Sequence, residues 1–559
     1  MKNKILLVFV ITIAAVLRLW QLGQVPPSLD WDEAALGYNA YSVLKTGRDE
    51  YGTAFPLVLR SYDDYKPPLY MYLTIPSVGL FGLEPWAVRL PSAVLGILAV
   101  IGTYFLVVQL LKSQITMTND QQGKKIFIGY WILEIGNSKS IALLSAMLLA
   151  LSPWHIQFSR IAFEANSGLT LNIWAAFAFL KGLHSRAWLC LSAFLFGLGL
   201  YAYHSERIFV PLLVLILATV FRKELFARRK DVVLSVVIGT LTVLPLLTVF
   251  LNPTALLRLR GTSSLADQTG LLARSVQKLE EDKLHGNIWG IVFDNRRVVW
   301  AKTLLDGYLS HYSLKWLFLT GDNPRHHAPD MGLLYLWELP FLLWGMYFLA
   351  RSGGRVSKIL FGWFLIAPIA ASPTTELPHA IRTLVFLPTL QIFTALGIMQ
   401  FASSIKVIRR EFFALLITCL LSLIAFNILY YFHAYFVHMN SQYSESWQYG
   451  YKDAVGYVAK ISNRYKKIIV STKLEQPHMF FLFYLRYDPA LYLAEGGTAS
   501  GGFAEVRNKF GKFEFRPIDW ESEAKDGSVL YVGTPREIPA PNLTTIAYLD
   551  GLPAVSIAD

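Results

Sequence analysis

Long apolar runs recur along this chain, separated by short polar segments that hold most of its lysines and arginines. A run of roughly 20 apolar residues crosses the hydrocarbon core of a bilayer, and a charge at its centre costs roughly 2.5–3.5 kcal/mol, so cations collect between spans. About eleven spans are expected on this basis, near 5–22, 91–111, 140–152, 168–183, 188–203, 208–221, 232–251, 331–350, 358–373, 383–402 and 411–433. The first run follows Met1-Lys2-Asn3-Lys4, but Leu17-Arg18-Leu19-Trp20 offers no small-residue cleavage site, so it is expected to remain as a span.

With the N-terminus inside, the inner segments collect Lys2, Lys4, Lys112, Lys124, Lys125, Lys139, Lys181, Arg186, Arg222, Lys223, Arg228, Arg229, Lys230, Arg351, Arg355, Lys358, Lys406, Arg409 and Arg410, whereas the short outer loops hold only Arg160, Arg207 and Arg382. That asymmetry sets the orientation and accounts for much of the net charge of +12, so no nucleic-acid partner is required. Composition agrees: 54% hydrophobic against 16% charged residues is far from the soluble norm of about 25% charged. Cys190 and Cys419 both fall inside expected spans, so no disulfide framework is implied.

Three polar segments are too long to be turns, 23–90, 252–330 and 434–559, and all fall on the outer side. The first is expected to hold a helix from Glu33 to Lys45, with Asp32 as N-cap, Gly47 beyond its end and Leu36, Ala40, Val43 and Leu44 as an apolar side lying along the membrane surface. The second repeats this interfacial character from Asn295 to Trp316. The last has the pattern of a small soluble α/β domain, with a helix near 448–463, strands near 467–472 and 528–533, and loops at Gly496-Gly497 and Gly501-Gly502. The expected organisation is therefore a helical polytopic membrane domain over 1–433 and an extracytoplasmic domain over 434–559.

Chemistry concentrates in the first outer segment. Leu29-Asp30-Trp31-Asp32-Glu33 precedes the expected helix, and Ser61-Tyr62-Asp63-Asp64-Tyr65-Lys66-Pro67-Pro68 follows it. A carboxylate at the mouth of a helix bundle can take a proton from a hydroxyl, and a nearby Lys can hold a phosphate leaving group. Each motif has a second reading. Asp32 and Glu33 serve equally well as cap and dipole complement. Asp63 and Asp64 form either a turn or, with Asp30 and Asp32, the ligands of a divalent cation. Lys66 either binds phosphate or snorkels to the interface beside Tyr65 and Tyr70. Arg160 with His155, and Arg382 ahead of Arg207, are outer cations amid apolar sequence, expensive there unless paired or liganded. Asp322-Asn323-Pro324-Arg325-His326-His327 reads as a solvated loop, because adjacent histidines point apart and no third metal ligand is evident.

The acidic pair in the first outer loop, Lys66-Pro67-Pro68-Leu69-Tyr70 after it, and the number of spans resemble the GT-C glycosyltransferases, in particular the protein O-mannosyltransferase and aminoarabinose transferase family, over roughly residues 1 to 433. The resemblance implies a GT-C fold with a membrane catalytic domain. It also implies a polyprenyl-phosphate sugar donor, Asp32 of the Asp32-Glu33 pair as catalytic base, and Lys66 as a contact to the lipid phosphate. Departures exist: Asp63-Asp64-Tyr65 precedes Lys66 where the aminoarabinose enzymes carry a glutamate, and there is no β-trefoil domain.

The expected function is therefore transfer of a single sugar, with inversion, to an acceptor hydroxyl of a protein or glycolipid at the outer face of the cell envelope. The substrate contacts are Lys66, Asp63, Asp64, Arg160, His155 and Arg382. A multi-spanning transporter is the rival class, although no internal repeat is present and the acids cluster at one surface loop. An oligosaccharide ligase is the rival within enzymology.

Overall fold

The computed structural model describes residues 2–62, 64–118, 135–250, 263–265, 268–404, 410–499 and 508–559. Asp63, Lys124, Lys125, Lys406, Arg409, Gly501 and Gly502 therefore lie outside the described residues. The chain is mostly helical and falls into two compact units, one of residues 1–10, 99–154 and 168–424, the other of 11–98, 155–167 and 425–559.

In the first unit, the closest helix packing pairs Glu338–Ser352 with Thr389–Ser404. Two glycines permit it: a Cβ on Gly345 would come within 1.8 Å of the Phe393 carbonyl oxygen, and one on Gly397 within 1.9 Å of that of Phe341. Small residues at facing positions let helix backbones approach and gain dispersion contacts that larger side chains would block. Arg186–Gly199 packs similarly on Arg229–Phe250.

Among the described residues, four helices are long and apolar enough to cross a bilayer: Pro85–Ser113, Arg229–Val249, Leu384–Ser404 and Ala414–Gln442. The pair Ser138–Leu151 and Pro153–Arg160, bent by 58°, makes a fifth if taken as one span. Several other expected spans form shorter helices, such as Glu206–Val220 with 15 residues and Gly354–Ile366 with 13. The latter is cut short where Gly353 and Gly354 take positive φ of 60° and 84°, a conformation that glycine reaches without a Cβ clash.

The second unit contains the second half of helix α1 (Lys2–Leu19), helix α2 (Trp31–Thr46), a hairpin of β1 (Leu59–Ser61) and β2 (Asp64–Lys66), helix α3 (Leu69–Phe81) and the start of α4 (Pro85–Thr118). It also contains a six-stranded sheet in the order β4-β5-β3-β6-β8-β7, formed by Lys509–Phe510, Phe513–Phe515, Lys467–Val470, Val529–Gly533, Pro553–Ala558 and Thr544–Ala547. Strand β3 runs parallel to β5 and β6, and the other pairs are antiparallel. Helix Tyr451–Ile461 presents Ala454, Val455 and Val458 to the core beneath it.

Two expectations for the first outer segment change. Helix α2 does not lie on a surface: every residue from Glu33 to Ala40 is buried, in one core with Phe480, Phe481, Leu482 and Phe483. Small residues all round the helix explain this, since Ala34, Ala35, Gly37 and Ala40 leave no bulky polar face, and a Cβ on Gly37 would meet both Phe483 and Val88 at 2.7 Å. The segment also carries α3, an apolar helix of 13 residues where only an outer loop was expected.

Candidate active site

The site is built at the N-terminus of α2. Asp30, with φ −83° and ψ 174°, is the N-cap: its carboxylate accepts from the Glu33 backbone N–H at 2.9 Å, and the Glu33 carboxylate accepts from the Asp30 N–H at 3.3 Å. This reciprocal arrangement satisfies two backbone donors that have no intrahelical partner. At the other end Gly47 takes φ 71° and closes the helix, as its position in the sequence implied. The expected cap, Asp32, is thus corrected to Asp30.

Glu33 is fully buried. Its two oxygens accept from Arg89 Nε at 2.8 Å and Nη2 at 2.7 Å, and Oε1 also accepts from the Ala162 N–H at 2.8 Å. Arg89 spends its remaining donors on the carbonyls of Leu22, Pro26 and Ser28 and lies over the Trp447 ring. With its lone pairs already committed, Glu33 cannot take a proton without breaking this ion pair.

Asp32, by contrast, is 30% exposed and accepts a short hydrogen bond from the ammonium of Lys66, which is 9% exposed. Lys66 arrives on β2 because the hairpin register pairs Leu59 with Lys66 and Ser61 with Asp64, with Tyr62 in the turn. Tyr62 takes φ 53° there and donates to the Trp31 carbonyl at 2.6 Å, which ties the turn to the first residue of α2. Burial raises the Tyr62 pKa well above the ordinary phenol value, and nearby Glu50 and Asp32 raise it further, so it stays a donor.

Burial alone would pull the Lys66 ammonium down. Asp32, Glu164 and Asp64 outweigh that effect and hold its pKa above the ordinary lysine value. Lys66 is therefore charged, and it is held against Asp32 instead of reaching for an interface. Asp64 is half-buried in β2 and accepts from the Tyr65 N–H at 2.8 Å. Strand pairing and this local bond make it part of the hairpin.

The remaining sequence candidates occupy other places. His155 and Arg160 sit on the buried helix Pro153–Arg160, not on an outer loop as expected. Arg160 donates to the carbonyls of Leu17 at 2.8 Å, Gln21 at 3.3 Å and Val25 at 2.9 Å and lies over the rings of Tyr435 and Phe436. It satisfies carbonyls that the end of α1 leaves open, which employs its donors inside the fold. His155 Nδ1 lies 2.6 Å from Arg18 Nη2. Arg382 belongs to the other compact unit, where it donates to Thr374 Oγ1 at 2.7 Å and to the Thr375 carbonyl at 2.6 Å.

Three residues of the site escaped sequence reasoning. Arg89 lies just before the expected span at 91, where an ionisable group beside an apolar run should itself have demanded a partner. Glu164 follows Arg160 by four residues and adds a third carboxylate around Lys66. Gln448 accepts from the Trp31 N–H at 2.9 Å despite lying 417 positions away, and its neighbourhood holds three non-glycine residues at positive φ, Gln448, Glu475 and Gln476. Glutamine has no pattern that announces such a long-range contact.

Comparison with known proteins gives the fold. No family model matches the chain, and no curated protein sequence matches it. The solved structure of ArnT from Cupriavidus metallidurans bound to undecaprenyl phosphate superposes with a TM-score of 0.54 at 12% identity, covering 98% of this chain and 97% of that one. The same protein in the apo state gives 0.51 at 14% identity, with 99% and 97% covered. The oligosaccharyltransferase AglB from Archaeoglobus fulgidus, in complex with an inhibitory peptide and a dolichol-phosphate, gives 0.49 at 13% identity over 96% of this chain and 69% of that one. The chain thus has the fold of ArnT, the GT-C fold that the acidic pair and the Lys66 stretch resembled.

Proposed function

We propose, on the premise of an ArnT-type fold with the Asp32–Lys66 pair at its site, that this protein is a membrane glycosyltransferase. It moves a single sugar from a polyprenyl-phosphate donor to an acceptor hydroxyl of a protein or glycolipid at the outer membrane face. The observation that carries this reading is the pair itself: one partly exposed carboxylate bonded to a buried ammonium.

In the resting protein Lys66 neutralises Asp32. An incoming phosphodiester competes for the ammonium, and Asp32 is then left beside the reacting centre with a lone pair for a proton. The acceptor oxygen attacks the anomeric carbon from the face opposite the phosphate, its proton passing to Asp32. The bond from that carbon to the phosphate oxygen breaks with its electron pair on oxygen, where Lys66 stabilises the charge. Direct displacement inverts the anomeric configuration. The lipid phosphate leaves without needing a proton, so one carboxylate suffices.

Glu33 takes the role of a positioning residue in this reading instead of a catalytic one, because its oxygens join α2 to Arg89 and Ala162. Arg160 and His155 likewise fix the ends of their helices. Asp30 has its carboxylate engaged as a cap, which leaves a cation site with Asp32, Asp63 and Asp64 short of one ligand; Arg382 is kept as a candidate contact to substrate. About eleven crossings, an outer location for 23–90 and 252–330, and an extracytoplasmic α/β domain over 434–559 complete the proposal.

The test is chemical. Cells lacking the gene should accumulate a polyprenyl-phosphate monosaccharide, and the purified protein in lipid nanodiscs should consume that lipid and release polyprenyl phosphate when acceptor is added. Unchanged lipid-linked sugars on deletion, with no turnover by the purified protein, would exclude the proposal.

A further inference from the structure

Away from Asp32, in the compact unit that holds residues 168–424, three side chains converge from two loops. Asp322 and His326 lie four positions apart in one loop, with Asp322 Oδ2 2.9 Å from His326 Nδ1. His379 comes from a loop more than fifty residues later, its Nδ1 4.0 Å from the same carboxylate oxygen. One ligand atom from each residue lies within 4.8 Å of the other two. His326 and His327 do point apart, as their adjacency requires, and His327 turns to the Ala328 carbonyl at 2.7 Å. What the sequence could not show is that the third ligand is supplied by His379.

The surroundings hold this cluster in place. The His379 backbone N–H donates to His311 Nε2 at 3.2 Å, while His311 Nδ1 faces the Gly307 carbonyl at 2.7 Å, so both nitrogens of His311 are engaged and it orients the loop. The Ala380 N–H donates to Asp322 Oδ2 at 2.8 Å. Gly321 takes φ 63°, and a Cβ there would strike the His327 ring at 2.3 Å, so the approach to Asp322 depends on glycine. Meanwhile Asp322 Oδ1 and His379 Nδ1 are buried with no hydrogen-bond partner. Burying such atoms unsatisfied is unfavourable. An ion would satisfy both.

We propose that Asp322, His326 and His379 bind one divalent transition-metal ion of the zinc class, clipping the 321–330 loop to the 374–383 loop. Two imidazoles and one carboxylate suit zinc, whose bonds to nitrogen and oxygen of about 2.0–2.2 Å place tetrahedral ligand atoms about 3.3 Å apart. The present separations bracket that value, so small side-chain rotations close the site. Hard cations such as Mg2+ prefer all-oxygen shells and are disfavoured. The fourth position is left to water. The proposal does not depend on Asp32 or on sugar transfer.

The test uses tag-free, full-length protein stripped with EDTA and titrated with Co2+, whose tetrahedral complexes absorb visibly, and then with Zn2+ in competition. The parent should bind one equivalent of Co2+ with d–d absorption that Zn2+ abolishes and Mg2+ does not, and Zn2+ should raise its melting temperature. Removing even an outer-shell partner of a metal site costs about 10–100-fold in affinity, so His379→Gln should weaken binding by at least about 10²-fold, with no thermal response. His285→Gln, at an exposed turn just past the helix Gln268–Leu284, should behave as the parent. A parent that binds no stoichiometric Co2+ overturns the proposal whatever the variants do, and so does a folded His379→Gln protein that binds like the parent.

Discussion

Lys66 donates a short hydrogen bond to the Asp32 carboxylate, joining the second residue of one helix to the last residue of a hairpin 34 positions later. The contact exists because Asp30 has taken the capping duty. A carboxylate at the second residue of a helix faces the positive end of the dipole, which favours its charged form.

If Lys66 holds the donor phosphate, deleting its charge while keeping its stem should be costly. In Lys66→Met, transfer should fall by about 10²–10³, the usual loss for one oxyanion contact. Steady-state turnover with saturating lipid donor measures it, and a near-normal rate would return Lys66 to a purely structural part.

Capping and catalysis should separate between Asp30 and Asp32. Asp30→Ala removes the N-cap and should lower stability by about 1 kcal/mol. Asp32→Asn, which keeps an oxygen to accept from Lys66 and leaves the cap in place, should lower the melting temperature less than Asp30→Ala does. Thermal melts of both proteins in the same detergent decide this, and the reverse order of stabilities would contradict the cap assignment.

Glu33 and Arg89 make a fully buried pair. Removing one partner of such a pair costs about 3–5 kcal/mol, because the other charge is left buried and alone. Glu33→Gln should therefore lose folded yield, whereas an active-site acid with no structural duty would lose activity at full yield. Yield by size-exclusion chromatography, set beside specific activity of whatever folds, separates the two.

These assignments mark where the sequence was readable. Helix α2 and its Gly47 terminus followed from local chemistry, and strands β3 and β6 from apolar runs bounded by turns. The cap was misplaced by two residues because Asp30 and Asp32 both suit the role, and only the position of Glu33 three residues beyond Asp30 separates them. The ion pair of Glu33 was not legible because its partner, Arg89, lies 56 positions away at a span boundary. Arg160 looked free because the carbonyls it serves belong to a chain bend at 17–25 that no pattern reveals. The burial of α2 depends on aromatic residues at 480–483, beyond the reach of any local window.

Glu50 offers a pH test. It is buried, accepts from Asn39 Nδ2 at 2.9 Å and Thr498 Oγ1 at 2.5 Å, and burial raises its pKa from 4.5 to about 7. Between those values the folded protein binds a proton that the unfolded chain has released, so stability should fall as pH rises from about 4.5 to 7 and stay lower above. At about 1.4 kcal/mol per unit the loss is roughly 3 kcal/mol. Glu50→Gln should flatten that part of the melting-temperature profile, and an unchanged slope would place the titration elsewhere.

The central claim is that the Asp32 carboxylate accepts the acceptor's proton. Asp32→Asn keeps the size of the side chain and removes its basicity, while the cap at Asp30 and the Glu33–Arg89 pair remain untouched. The direct measurement is the rate of sugar transfer by the purified Asp32→Asn protein, beside its melting temperature and its binding of the polyprenyl-phosphate sugar. The account predicts normal melting, retained donor binding and a transfer rate lower by at least about 10²; transfer at the parental rate would contradict it.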